Sequence, residues 1–145
     1  MQALLQRVTA AQVSVDGELI GSIGKGLLVF LGVEKHDTPE LANKLLQKVL
    51  NYRIFADAED KMNLSLLDIQ GELLVISQFT LAADTNKGLR PSFSSAANPA
   101  LGESLYQHFV SQAKASRLKV AEGSFGADMQ VQLTNDGPVT FLLKN

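Results

Sequence analysis

The run of apolar residues at 27–33 (LLVFLGV) constrains the fold of this chain more than any other segment. It contains no polar side chain, has the length of a β-strand and follows Gly24-Lys25-Gly26, a sequence typical of a turn. A strand with apolar side chains on both faces has to be covered on both faces. The run therefore predicts a buried central strand with other elements packed around it.

Three more segments have strand character. Residues 4–15 are rich in β-branched residues and end at Asp16-Gly17, a dipeptide typical of a tight hairpin turn. Residues 73–81 begin as a second buried strand, and residues 129–133 alternate apolar and polar side chains. These patterns predict a sheet that begins with a hairpin and is completed by a strand near the C-terminus.

Two segments have the periodicity of amphipathic helices. Thr38-Pro39-Glu40 combines a capping residue, a proline suited to the first turn and an acid near the positive end of the helix dipole. Apolar residues recur at helical spacing over 39–50 and again over 99–115. We therefore predict one α/β domain, residues 1–145, in which a curved, mainly antiparallel sheet or open β-barrel packs against two main helices.

The composition excludes several classes of site. The chain has 145 residues, 46% hydrophobic and 19% charged, as expected of an ordinary folded domain. It has no cysteine, which excludes disulfides, thiolate metal ligands and a cysteine nucleophile, and which fits a reducing compartment. No apolar stretch is long enough to span a membrane. We expect a cytoplasmic protein with no membrane partner.

The charge balance bears on nucleic-acid binding. The formal net charge is −2, so the chain has no overall positive field to attract a polyanion. A local basic patch remains possible, because phosphate contacts depend on where the cations lie. Lys87 and Arg90 lie in a predicted long loop, residues 82–97, and are candidates for contacts with phosphates, although loop cations of this kind are commonly just solvated.

Familiar catalytic and cofactor motifs are absent. The only histidines, His36 and His108, are far apart and have no metal-ligand pattern around them. There is no G-x-S-x-G elbow, no phosphate-binding loop and no dinucleotide fingerprint. We predict no metal and no cofactor.

Residues 77–81 (SQFTL) place polar groups at the end of an otherwise apolar strand. If the strand continues, alternation puts Gln78 and Thr80 on one face, where together they could line a pocket. The alternative is a strand that simply emerges into solvent.

Residues 135–140 (NDGPVT) interrupt the last predicted strand. Asp-Gly-Pro is ordinary turn chemistry, and only about 5% of X-Pro bonds in folded proteins are cis. By local rules this segment is a turn between two strands.

In these segments the sequence resembles the bacterial D-aminoacyl-tRNA deacylase family, and the resemblance runs nearly from end to end. The motifs at 77–81 and 135–140, found together in the right order, are much more specific than either motif alone. The matching segments are 6–8 (QRV), 13–15 (VSV), 77–81 (SQFTL), 87–93 (KGLRPSF), 125–129 (FGADM) and 135–140 (NDGPVT).

This resemblance implies an ester hydrolase that removes D-amino acids, and mischarged glycine, from the 3′ acceptor end of tRNA while sparing L-aminoacyl-tRNA. It implies a cytoplasmic homodimer with its active sites at the subunit interface and no cofactor. It also implies that the Gly137-Pro138 peptide is cis and enters the neighbouring subunit's pocket, where its carbonyls would collide with an L side chain.

For catalysis, the resemblance implies that the 2′-hydroxyl of the terminal adenosine replaces a protein nucleophile. Ser77, Gln78, Phe79 and Thr80 are the candidate catalytic residues, the last three as donors to the developing oxyanion. Thr80 either orients the 2′-hydroxyl or attacks the ester itself. Arg7 either fixes the carbonyls of the Gly-Pro turn or is an exposed strand arginine.

Two other functions remain open at this point. One is a nucleic-acid-associated binding protein that has the same fold and has lost catalysis. The other is an esterase for small molecules, with Thr80 or Ser77 as its nucleophile.

Overall fold

The computed structural model describes residues 1–145 and has β1 (Gln2–Val15) as the spine of its sheet. β2 (Glu18–Ile23) pairs antiparallel with the second half of β1, and β3 (Gly26–Gly32) pairs antiparallel with its first half. Asp16 and Gly17 join β1 to β2 with positive φ angles of 50° and 78°, as the predicted hairpin turn requires. β8 (Gln130–Lys144) pairs antiparallel with β1 along its other edge.

The sheet also contains two parallel pairings. β6 (Glu72–Ser77) runs parallel to β3, and β7 (Val120–Glu122) runs parallel to β6. β7 comes back beside β2, where the backbone of Gly21 lies against Glu122, so the sheet nearly closes on itself. The prediction of a curved, mainly antiparallel sheet or open barrel with two main helices is confirmed, and the parallel pairings make the sheet mixed.

The two main helices begin where their capping residues predict. α1 (Pro39–Asn51) starts after Thr38, whose hydroxyl accepts from the Leu41 N–H, and α3 (Pro99–Lys114) starts after Asn98, whose amide oxygen accepts from the Leu101 N–H. None of the helices is both long and apolar enough to cross a membrane. The remaining elements are small: β4 (Phe55–Ala56), β5 (Met62–Leu64) and the single-turn α2 (Leu66–Ile69).

The central strand β3 is buried on both faces, as its apolar run predicts. Leu27, Val29 and Leu31 belong to the main core, which lies between the sheet and helices α1 and α3. Leu28 belongs to a second, smaller cluster on the opposite, inner side of the curved sheet. A strand that contributes to two cores needs apolar side chains at every position.

Residues 136–139 leave the ladder, as the predicted break requires, but they do not form a turn that ends one strand and begins another, because the segments before and after them belong to the same strand, β8. β8 pairs with β1 on both sides of this point, with Thr140 opposite Gln6 and Asn135 opposite Val8. Residues 136–139 therefore face a single residue of β1, Arg7, and bulge out of the ladder. We call residues 136–139 the Gly-Pro loop. Its Gly137-Pro138 peptide bond is cis.

Candidate active site

The largest cavity of the molecule, about 550 Å³, lies at the carboxyl ends of the parallel strands β3 and β6. The first turn of α3 and the segments 93–97 and 125–131 form its other walls. Twelve of its 18 lining residues are hydrophobic. The cavity therefore suits a largely apolar or aromatic part of a ligand, with a few polar groups left to orient it.

Residues 77–81 do not continue as a strand, so the predicted alternation of their side chains is wrong. β6 ends at Ser77, and Phe79–Ala82 form one turn of 3₁₀ helix. Ser77, Gln78 and Phe79 line the cavity, and the exposed Thr80 follows them at its edge. The polar residues are brought to the cavity by a chain reversal at the end of a buried strand.

Gln78 and Thr80 nevertheless come together, because the turn brings their side chains face to face. Nε2 of Gln78 donates to Oγ1 of Thr80 at 2.7 Å. A hydroxyl that accepts one hydrogen bond still has its own proton to donate. Oγ1 of Thr80 is thus held in place and its O–H is free to donate to a ligand.

The backbone of Gln78 is fixed as well. Its N–H donates to the carbonyl of Leu31 at 2.8 Å, which extends the β3–β6 ladder by one bond beyond Ser77. The Gln78 N–H is therefore not available to a substrate. The N–H groups of Phe79 and Thr80 lie in the first turn of the 3₁₀ helix, where a helix has no internal acceptor for them.

Phe79 forms part of an exposed aromatic wall. Its side chain is 58% exposed, and its ring lies 5.1 Å from that of Phe93, centroid to centroid. Phe125 forms another wall of the cavity and rests against Gly102 of α3 and against the ring of Tyr106. Aromatic walls of this kind favour a flat ligand group that stacks on one of them.

No side chain that lines the cavity is ionisable in the neutral pH range, since the lining set contains no Asp, Glu, His, Lys or Arg. Nor does the molecule bring together three His, Cys, Asp or Glu side chains as a metal-binding group. The nearest perturbed group is Tyr106, whose hydroxyl donates to the Val75 carbonyl at 2.8 Å. Burial, with a smaller contribution from Glu122, raises the pKa of Tyr106, so it remains a neutral donor that supports β6.

The Gly-Pro loop lies elsewhere on the molecule. Gly137 and Pro138 are exposed, and neither lines the cavity of its own chain. Arg7 supports the loop from below: Nε donates to the Asp136 carbonyl at 2.9 Å, and Nη1 donates to the Ile54 carbonyl at 2.8 Å. Arg7 is half-buried and in contact with the loop, so it is not an exposed strand arginine.

Lys87 and Arg90 are exposed in the loop that follows the 3₁₀ turn. Two backbone hydrogen bonds between Asp84 and Ser92 close this loop at its base, at 2.7 and 3.0 Å. The loop leads directly into Phe93, which lines the cavity. The two cations are therefore carried on a segment that borders the cavity.

Several lining residues escaped the reasoning from sequence patterns. Phe93, Asn98 and Phe125 come from a loop, a helix cap and an irregular segment without periodicity, and the alternation that includes Met129 predicted a strand face but no site. The only signal was that Phe93, Phe125 and Met129 fall in segments that match the resembling family.

The nearly closed α/β domain has an uncharged cavity with an amide–hydroxyl pair at its edge, a site that can position a ligand and offers little acid–base chemistry of its own. The sequence profile of the family described as D-Tyr-tRNA(Tyr) deacylase matches residues 4–144. The chain belongs to this family, and the expected relationship to the D-aminoacyl-tRNA deacylases, which are ester hydrolases, is confirmed.

Individual relatives agree. The chain is 64% identical over 143 residues to a protein of Pseudoalteromonas translucida and 66% identical over 143 residues to one of Haemophilus influenzae, each match covering 99% of both chains. Both proteins are named D-aminoacyl-tRNA deacylase.

Among solved structures, the c-Myc DNA Unwinding Element Binding Protein is 41% identical, with a TM-score of 0.94 over 100% of this chain and 99% of that one. A probable eukaryotic D-amino acid tRNA deacylase, 18% identical, has a TM-score of 0.87 over 98% of this chain and 97% of that one, which shows a common fold.

Gly32 allows the 3₁₀ turn to pack directly on the end of β3. A Cβ atom at position 32 would lie 2.9 Å from Cβ of Leu81 and 3.2 Å from the carbonyl oxygen of Gln78. The first distance is too short for two carbon atoms, and the second is tight. A side chain at position 32 would therefore push the turn that carries Gln78 and Thr80 away from the sheet.

We expect Gly32→Ala to lower the rate of D-tyrosyl-tRNA hydrolysis by about tenfold or more, because small displacements of positioning groups cost rate steeply. The measurement is the single-turnover rate constant with enzyme in saturating excess over substrate, with the melting temperature recorded in parallel. Gly24→Ala is the matched control, since its Cβ would meet only the Glu72 carboxylate at 3.5 Å. Full activity in a folded Gly32→Ala protein would contradict this role for Gly32.

Proposed function

We propose that this protein hydrolyses the ester bond of D-aminoacyl-tRNA, releasing free tRNA and a D-amino acid, and leaves L-aminoacyl-tRNA intact. Family membership and the names of its relatives support the substrate class. The observation that carries the proposal is the Gln78–Thr80 pair at the edge of a cavity without an ionisable side chain. Such a site can position an ester and stabilise charge on its oxygen, but it has no histidine or carboxylate to activate a nucleophile.

In this mechanism the substrate provides the missing group. The terminal adenosine of tRNA occupies the apolar cavity, where aromatic side chains stack readily on a base. Its 2′-hydroxyl assists the attack of water on the neighbouring ester carbonyl, and the bond between that carbonyl carbon and the ribose oxygen breaks. Thr80 orients the 2′-hydroxyl through the proton that its contact with Gln78 leaves free. The N–H groups of Phe79 and Thr80 donate to the developing oxyanion.

Chirality is read by the Gly-Pro loop of a second subunit. Gly137 and Pro138 are exposed and lie outside the cavity of their own chain, so a loop that acts on the substrate has to come from another copy. We therefore propose a homodimer in which each loop enters the partner's site and collides with L side chains. A filter that only excludes L side chains accepts many D side chains, and it cannot exclude glycine. Mischarged glycyl-tRNA is thus a second substrate.

The acceptor end of the tRNA needs local positive charge, since the net charge of the chain is −2. Lys87 and Arg90 provide it on the loop that borders the cavity. The proposed reaction requires no cofactor, and charged tRNA as its substrate supports a cytoplasmic enzyme.

Binding to DNA is a second candidate function, because a structural relative at 41% identity is named as a DNA-binding protein. The acidic charge balance and the Gln78–Thr80 pair favour the hydrolase.

The proposed function predicts a clear order of rates on three substrates. D-tyrosyl-tRNA and glycyl-tRNA should both be deacylated, while L-tyrosyl-tRNA should be cleaved at least about a hundredfold more slowly than its D form. One preparation is assayed on all three by release of labelled amino acid. Equal rates on the D and L forms would falsify the chirality assignment, and no hydrolysis of any of them would favour a binding protein.

Thr80 should act through its hydroxyl. Thr80→Ser should retain most activity, whereas Thr80→Val, which keeps the shape of the side chain, should lower kcat by about a hundredfold, because the 2′-hydroxyl would lose the group that orients it. The control is D-tyrosyl-tRNA that ends in 2′-deoxyadenosine, which the parent protein should cleave far more slowly. Unreduced cleavage of that deoxy substrate would instead support a protein nucleophile and the esterase alternative.

A further inference from the structure

Asn135 closes the neck of the Gly-Pro loop with three hydrogen bonds. Its Oδ1 accepts from the Val139 N–H at 2.7 Å. Its Nδ2 donates to the Val139 carbonyl at 3.2 Å and to Oγ1 of Thr140 at 3.0 Å. The side chain therefore spans from the last residue before the loop to the last residue of the loop and the first residue after it.

These bonds replace the sheet pairing that the loop lacks. Backbone N–H and C=O groups removed from water need partners, and residues 136–139 have only Arg7 opposite them in β1. Val139 is buried, with 8% of its surface exposed, and its side chain belongs to the main core. The Asn135 amide satisfies both the N–H and the carbonyl of Val139, so it ties the end of the loop to a fixed point of the fold.

The loop is thereby held at both ends by different side chains. Arg7 holds the carbonyl of Asp136 at the start of the loop, and Asn135 holds Val139 at its end. Gly137 and Pro138 lie between these two fixed points. Their height above the sheet depends on both contacts.

We propose that Asn135 is a positioning residue for chirality discrimination: it sets how far Gly137 and Pro138 project, and therefore how tightly the filter excludes an L side chain. This inference rests on the proposed function of the Gly-Pro loop. Asn135 does not line the cavity and makes no hydrogen bond to the 3₁₀ turn of its own chain, so its loss should change selectivity far more than D-substrate turnover.

The test uses graded variants of the full-length protein. Asn135→Ala removes all three hydrogen bonds. Asn135→Asp keeps an oxygen acceptor for the Val139 N–H and loses both donors. Asn51→Ala is the matched control, because Asn51 also bonds a backbone carbonyl through Nδ2, that of Gln47 at 2.8 Å, but at the end of α1.

Each variant is assayed on D- and L-tyrosyl-tRNA, and its melting temperature is recorded. We expect Asn135→Ala to raise the L:D rate ratio by about tenfold or more, as misplaced positioning groups do, while the D rate stays close to that of the parent. Asn135→Asp should give an L:D rate ratio between those of the parent and Asn135→Ala. Asn51→Ala should leave the ratio unchanged. If Asn135→Ala does not fold, Thr140→Val, which removes one acceptor of the Asn135 amide and the long 3.4 Å contact with Gln6 on β1, should show the same change to a smaller degree.

A lower melting temperature with an unchanged L:D ratio would overturn the proposal, because Asn135 would then only stabilise the fold. Equal D and L rates in the parent protein itself would overturn the proposed function, and this inference with it. The two failures are distinguished by whether the parent discriminates.

Discussion

The structure depends on a mismatch of register between its two longest strands. β1 and β8 pair almost from end to end, yet residues 136–139 of β8 face Arg7 alone. The surplus residues have to leave the ladder, and two side chains, those of Arg7 and Asn135, take over the hydrogen bonds that β1 cannot make. A glycine at position 137 is required, because its φ is +140° and a Cβ would lie 2.7 Å from Val139 Cγ2. A long, well-paired sheet thus presents one short, rigid projection to the outside.

The cavity likewise relies on a few well-positioned groups. Its walls are largely apolar, its polar side chains are one hydroxyl and two amides, those of Ser77, Gln78 and Asn98, and none of its lining residues can exchange a proton near neutral pH. Catalysis at such a site depends on how accurately its donors are positioned, so the turn that carries them has to be held in place. The ladder bond from Gln78 to Leu31 and the close packing on Gly32 fix the turn before any substrate arrives. Preorganised donors of this kind need no rearrangement during the reaction.

The sequence predicted the elements whose signals are local. The strand at 27–33 and both main helices follow from continuous or periodic apolar residues and from capping residues within a few positions. The turn after Ser77 did not follow, because it forms only where Gly32, far away in the chain, leaves room for it. The Gly-Pro segment was mistaken for a simple turn, because a bulge is defined by its partner strand, some 130 residues away. The contact of Arg7 with Ile54 is equally non-local.

The most direct test of the central claim is a mixed dimer, since the filter is proposed to act on the partner's site. One subunit carries Thr80→Val, which disables its site, and the other carries Gly137→Ala, which displaces its loop. Each carries a different affinity tag, so that the mixed dimer can be purified. If the loop acts on the partner's site, this dimer cleaves D-tyrosyl-tRNA and rejects L-tyrosyl-tRNA as well as the parent does, because the intact site receives the intact loop of its partner. A mixed dimer that is active yet as unselective as the Gly137→Ala homodimer would contradict that claim, because the filter would then act within its own chain.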